Sequence, residues 1–186
     1  MKHDITSLNT KKALAASLKK LMRTKPFSKI TVSEIIRDCG VNRKTFYYHF
    51  EDIYALLQWI FDQEAIQEFH QYDLVNDFDS ALRFVLNYVE ENDHILNCAY
   101  DSIGRDQMKR FFFSEFIKAT NILLSKAEEY NGVTVNPDYR EFWCTFYAEA
   151  VAAILIEWLQ NHDNLNKEKF IEYLTKTVKT ALINIK

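Results

Sequence analysis

Residues Ile30–Phe50 read ITVSEIIRDCGVNRKTFYYHF. Thr31-Val32-Ser33-Glu34 has the form of a capping box, in which the Thr31 hydroxyl accepts from the Glu34 amide while the Glu34 carboxylate reaches back. The spacing predicts a short helix with Val32, Ile35, Ile36 and Cys39 on its inner face. Gly40 suits the left-handed conformation that ends such a helix. Val41 reads as a buried turn residue, and Asn42 as the cap of another short helix over about Arg43–Phe50. Phe46 and Phe50 are four apart and share its inner face. Its outer face is Arg43, Lys44, Thr45, Tyr47, Tyr48 and His49.

A buttress helix, a glycine turn and a polar second helix are what a reader of the DNA major groove requires. Arg43 and Lys44 can donate to guanine edges or phosphates, and Thr45 can offer its hydroxyl, or its methyl to a thymine. Tyr47 and His49 can donate to phosphate oxygens and so fix register. Asn42 and Tyr48 lie on the same surface. The amide end of the buttress helix at Thr31 is a further phosphate site.

Outward from this stretch, Leu14, Leu18, Leu21 and Met22 form one stripe of a first helix over about Ser7–Thr24, which Pro26 ends. Residues 1–50 hold eleven Lys/Arg against three Asp/Glu, a net of +8, whereas residues 51–186 hold twelve against twenty-three, a net of −11. Only the first part is built to meet a polyanion. With three glycines and two prolines in 186 residues, tight hairpins are scarce and long helices are favoured. The expected fold is all-α, about nine helices, with a three-helix DNA-binding domain over residues 1–52 and a helical bundle over 53–186. Later helices are expected at about 51–69, 78–91, 93–102, 105–130, 137–161 and 167–185.

Several chemistries lack their residues. Cys39, Cys98 and Cys144 form no CxxC pair, so neither a zinc site nor a disulfide framework is indicated. The five histidines show no metal-ligand spacing. No nucleophile–base order, phosphate-cradling glycine loop or paired catalytic carboxylates emerge, so no enzyme and no cofactor are expected. The first residues have no apolar signal region, and Ala148–Leu159, interrupted by Glu149 and Glu157, is too short to span a bilayer. A cytoplasmic, nucleoid-associated protein without membrane contact is expected.

The segments Ile30–Ile36, Cys39–Asn42 and Thr45–Phe50 together resemble the TetR family of bacterial regulators, over about residues 8–60. The resemblance implies a homodimer that binds a palindromic operator and is released by a small-molecule effector held in the C-terminal domain. Family members often carry at position 53 a lysine that touches phosphate; this chain has Ile53, so Lys12 or Lys29 is expected to compensate. Trp143–Trp158 is similar to a TetR subfamily that includes regulators of dihydroxyacetone kinase operons. Repression is the leading expectation. Activation with a partner or co-inducer is the alternative, and a helical ligand-binding or interaction protein without operator binding is the reading from another class.

For the C-terminal domain, Tyr88, Cys98, Phe112, Phe116, Trp143 and Tyr147 are candidates to line an effector pocket. Phe146, Ala150, Ala153 and Ile154 make one apolar stripe, and Tyr173, Leu174 and Val178 another. Two such pairs would form a four-helix interface across a twofold axis.

Overall fold

The computed structural model describes residues 2–183 and 185, with side chains from residue 7 onward except Asp163. Among the described residues every regular element is helical: α1 Lys2–Met22, α2 Val32–Cys39, α3 Arg43–His49, α4 Ile53–Phe61, α5 Gln67–Phe69, α6 Phe78–Glu91, α7 Asp93–Ile103, α8 Arg105–Asn131, α9 Pro137–Asn161 and α10 Lys167–Ile183. A π-turn over Asp62–Ile66 joins α4 to α5; counting these two as one, the described residues form nine helices, as expected. The expected end of the last helix at Ile185 includes residue 184, which lies outside the described residues; α10 is described to Ile183.

The chain forms two compact units. The first holds the residues up to Gln67 together with His94–Ile103; the second holds Glu68–Asp93 and Gly104–Lys186. α4 and α7, expected in the C-terminal domain, both pack within the first unit. The reason is apolar burial: Leu56 and Ile60 of α4, and Ile95, Leu96 and Ala99 of α7, are buried, as are Leu14, Leu18, Phe27, Ile35 and Phe46. Polar contacts add to this. The Ser28 amide donates to the Ser102 hydroxyl at 3.2 Å, and the Cys98 thiol to the Lys25 carbonyl at 3.6 Å.

In the second unit α8 and α9 form the most extensive helix pair. Two clusters fill it, one around Phe69, Ala81, Leu123 and Val178, the other around Leu124, Val135, Trp143 and Cys144. Pro137 occupies the first turn of α9, where its missing amide costs nothing, and the Asn136 side chain accepts from the Asp138 amide at 2.8 Å. By length and composition α9 could cross a membrane, yet Trp143, Cys144, Ala148, Ala152, Leu155 and Trp158 are buried in this unit.

Candidate DNA-binding site

The site is assembled by two consecutive caps. Thr31 is extended (φ −118°, ψ 151°), its hydroxyl accepts from the Glu34 amide at 3.3 Å, and its own amide donates to the Glu34 carboxylate at 2.9 Å. The Thr31 hydroxyl also donates to that carboxylate at 2.8 Å, and the Lys25 ammonium pairs with it. Chiefly through Lys25, and then through Thr31, the Glu34 pKa is lowered to about 2. The Thr31 hydroxyl is thus spent on Glu34, as the capping box predicts, and a phosphate at this helix end would meet the Val32 and Ser33 amides of the first turn.

Gly40 ends α2 at φ 71°, ψ 21°. A side chain there would meet no neighbour within 4 Å, so the requirement for glycine is the left-handed backbone and not space. Val41, expected buried, is half-buried. Asn42 then caps α3, its Oδ1 accepting from the Thr45 amide at 2.8 Å and the Thr45 hydroxyl at 3.0 Å. Asn42 and Thr45 are thus spent largely on each other, and Thr45 offers its methyl more readily than its hydroxyl.

Phe46 and Phe50 are buried and anchor α3. The opposite face carries Arg43 and Lys44, both exposed, with Tyr47 49% and Tyr48 70% exposed. Exposed tyrosines of this size on one short helix mark a contact surface. His49 is half-buried, with its ring 4.9 Å from Tyr48 and 6.4 Å from Phe50. It sits at the border of the reading face. The Arg43 guanidinium stacks on Tyr47, 5.7 Å from the ring centroid.

Not every cation of the basic half is free for DNA. Lys19 pairs with Glu64 at 2.8 Å, Lys20 with Asp38 at 2.5 Å and Lys25 with Glu34, while Lys11 lies 5.7 Å from the Phe50 ring and 5.8 Å from Trp59. Lys12 and Lys29 are exposed, as are Arg43 and Lys44. Ile53 is half-buried at the first position of α4, and Asp52 caps that helix through the Ala55 amide at 2.8 Å. The lysine–carboxylate pairs join residues 9 to 45 positions apart, which no local pattern announces.

The second unit contains an apolar cavity of about 50 Å³. Phe116, Trp143 and Tyr147 line it, together with Phe69, Leu123 and Val178. The other three pocket candidates do not. Phe112 is buried on α8 with its ring against Phe116 at 6.4 Å, Tyr88 is half-buried on α6, and Cys98 belongs to the first unit. Burial raises the Tyr147 hydroxyl pKa, and Thr120, the other hydroxyl on the wall, donates to the Ile117 carbonyl at 3.0 Å.

Of the residues expected at a dimer interface, Phe146 is 55% exposed and stacks on Phe142, itself 64% exposed, at 6.1 Å. Tyr173 and Ile154 are exposed, with Ala150 and Ala153 half-buried. Leu174 and Val178 are corrected: both line the cavity, and Val178 is buried, because this stripe of α10 turns toward its own unit.

Residues 14–60 match the family described as bacterial regulatory proteins, tetR family, and residues 76–180 match a family described as transcriptional regulator C-terminal region. The chain belongs to the TetR family. It is a transcriptional regulator whose helix-turn-helix is the α2–Gly40–α3 unit. Among TetR-family relatives it is similar to the HTH-type dhaKLM operon transcriptional activator DhaS of Lactococcus lactis subsp. lactis (strain IL1403). The two are 24% identical over 161 residues, covering 87% of this chain and 85% of that protein. A solved structure, the dihydroxyacetone kinase operon activator DhaS, has the same fold, with a TM-score of 0.70 at 21% identity over 93% of this chain and 96% of that one.

Proposed function

We propose that this TetR-family chain is a homodimer that binds a palindromic operator through two copies of α3 and responds to an effector through its second unit. The observation that carries operator binding is the outer face of α3: Arg43, Lys44, Tyr47 and Tyr48 exposed together over a helix held by Asn42, Phe46 and Phe50. One seven-residue helix reads too few base pairs for specificity, and a twofold dimer places two in successive major grooves about 34–36 Å apart. The exposed Phe142–Phe146 stack and Tyr173 supply an apolar face for the partner. Such a protein acts in the cytoplasm, on the chromosome.

The cavity beside Phe116, Trp143 and Tyr147 is the natural seat for an apolar effector group. At about 50 Å³ it holds only a few non-hydrogen atoms, so a larger effector must part the helices that line it. Such an effector shifts operator affinity by no more than its preference between the two states.

Repression follows from occlusion of a promoter by a bound dimer. Activation is the second reading, favoured by the name activator borne by both relatives. Operator binding is tested by gel shift with duplexes spanning the chain's own upstream region, comparing the parent with Lys44→Ala/Tyr48→Ala. Loss of retardation with unchanged helical content supports α3 as the reader; equal affinity of the two proteins overturns it. The sign is read from reporter transcription in a deletion strain, where loss of a repressor raises target expression and loss of an activator lowers it.

A further inference from the structure

Arg43 and Tyr47 stand one helical turn apart on the exposed face of α3. The Arg43 Nη2 donates to the Tyr47 hydroxyl at 3.4 Å, with the guanidinium 5.7 Å from the ring centroid. Tyr47 is itself seated edge-to-face on Phe46, at 5.4 Å and 82°, and Phe46 is fully buried. A chain of contacts therefore runs from the core through Tyr47 to a guanidinium at the first position of the reading helix. Lys44, next to it, is exposed, and no ring among the described residues is stacked on it.

We propose that Tyr47 is a positioning residue that presents Arg43 to a guanine edge, making the pair the specificity determinant of the half-site. This rests on the operator-binding reading above. An exposed arginine samples many rotamers and loses that freedom on binding. Stacking on Tyr47 removes part of the loss beforehand. It engages one of the five N–H groups and leaves enough of the planar fork for the two parallel bonds that guanine O6 and N7 accept. A lysine has no such plane and would gain nothing from the ring in this respect. The Tyr47 hydroxyl, accepting from Arg43, keeps its own proton for a phosphate, so sequence reading and positioning meet in one side chain.

Selection of duplexes from a random pool by the full-length chain yields the preferred half-site. Fluorescence anisotropy then gives Kd for that duplex and for duplexes changed at each position, with the parent, Arg43→Ala, Tyr47→Leu and Tyr47→Phe. One G·C pair per half-site is expected to lose its preference in Arg43→Ala. Tyr47→Leu is expected to lower the preference at that same pair by about tenfold, within the range of one bidentate arginine–guanine contact. Tyr47→Phe keeps the ring under the guanidinium and retains most of the preference. The Arg43→Ala/Tyr47→Leu double variant loses no more than Arg43→Ala alone. Each readout is a ratio of affinities on one preparation, so partial unfolding moves both affinities together and leaves the ratio unchanged. If Tyr47→Leu weakens all duplexes alike, Tyr47 is a phosphate contact only and the positioning role is overturned. It is equally overturned if no G·C pair depends on Arg43. Failure of the parent to bind any duplex overturns operator binding itself, a result distinct from sequence-specific binding that ignores Tyr47.

Discussion

The Ser17 hydroxyl, in the middle of α1, donates a 3.0 Å hydrogen bond to the main-chain carbonyl of Ile35 in α2. Both residues are buried, so the bond fixes the buttress helix on the first helix from inside the core. Ser17→Ala removes the donor and leaves the carbonyl underused; a loss of about 1 kcal/mol is expected. Urea denaturation followed by circular dichroism measures it. No change in the unfolding midpoint would show the bond to be energetically idle.

The cap of α2 makes stability acid-sensitive in a defined window. The Glu34 carboxyl, with an ordinary pKa of 4.5, titrates at about 2 in the fold, first because of Lys25 and then Thr31. Asp38 is lowered in the same direction, chiefly by Lys20. A depressed folded pKa gives stability that is complete above about pH 4.5 and disappears as the pH falls through about 2. Glu34→Gln is therefore expected to be less stable at neutral pH and to lose less between pH 4.5 and 2 than the parent does. Thermal melts across that range check this, and parallel pH curves for the two proteins would refute it.

Ile53 occupies the first turn of α4 beside the Asp52 cap. Ile53→Lys puts a cation where the family commonly has one. Operator affinity should rise, and the log–log salt slope should steepen by about two units for a dimer, one per half-site. Anisotropy titrations at several salt concentrations read the slope; an unchanged slope would mean that position 53 does not approach phosphate in this chain.

Phe146→Glu places a charge on the exposed face of α9 beside Phe142, where the side chain is more than half exposed and the fold has little to lose. In the proposed dimer the charge is buried in the apolar interface and is costly. Sedimentation velocity should show a shift from dimer to monomer at micromolar concentration, with operator affinity reduced in parallel. A dimer of unchanged strength would move the interface elsewhere.

The local devices of this protein were legible in its sequence. The Thr31–Glu34 cap, the left-handed Gly40, the Asn42 cap and the buried pair Phe46 and Phe50 each depend on residues within a few positions of one another. Backbone hydrogen bonding and helical periodicity determine such features without help from the rest of the chain. Most helix boundaries followed for the same reason, since the few glycines and prolines punctuate them; α1 is the exception, beginning at Lys2 and not near Ser7, because no glycine or proline precedes Ser7. What only the tertiary structure decided was the company each helix keeps. α4 and α7 pack with the helix-turn-helix because Leu56, Ile60, Ile95 and Leu96 find their apolar partners there. Lys25 lies against Glu34, Lys20 against Asp38 and Lys19 against Glu64. On α10, Val178 and Leu174 face their own unit while Tyr173 faces solvent. An amphipathic stripe states that a face is to be buried; which neighbour buries it is settled only when the helices meet, because apolar burial carries no address.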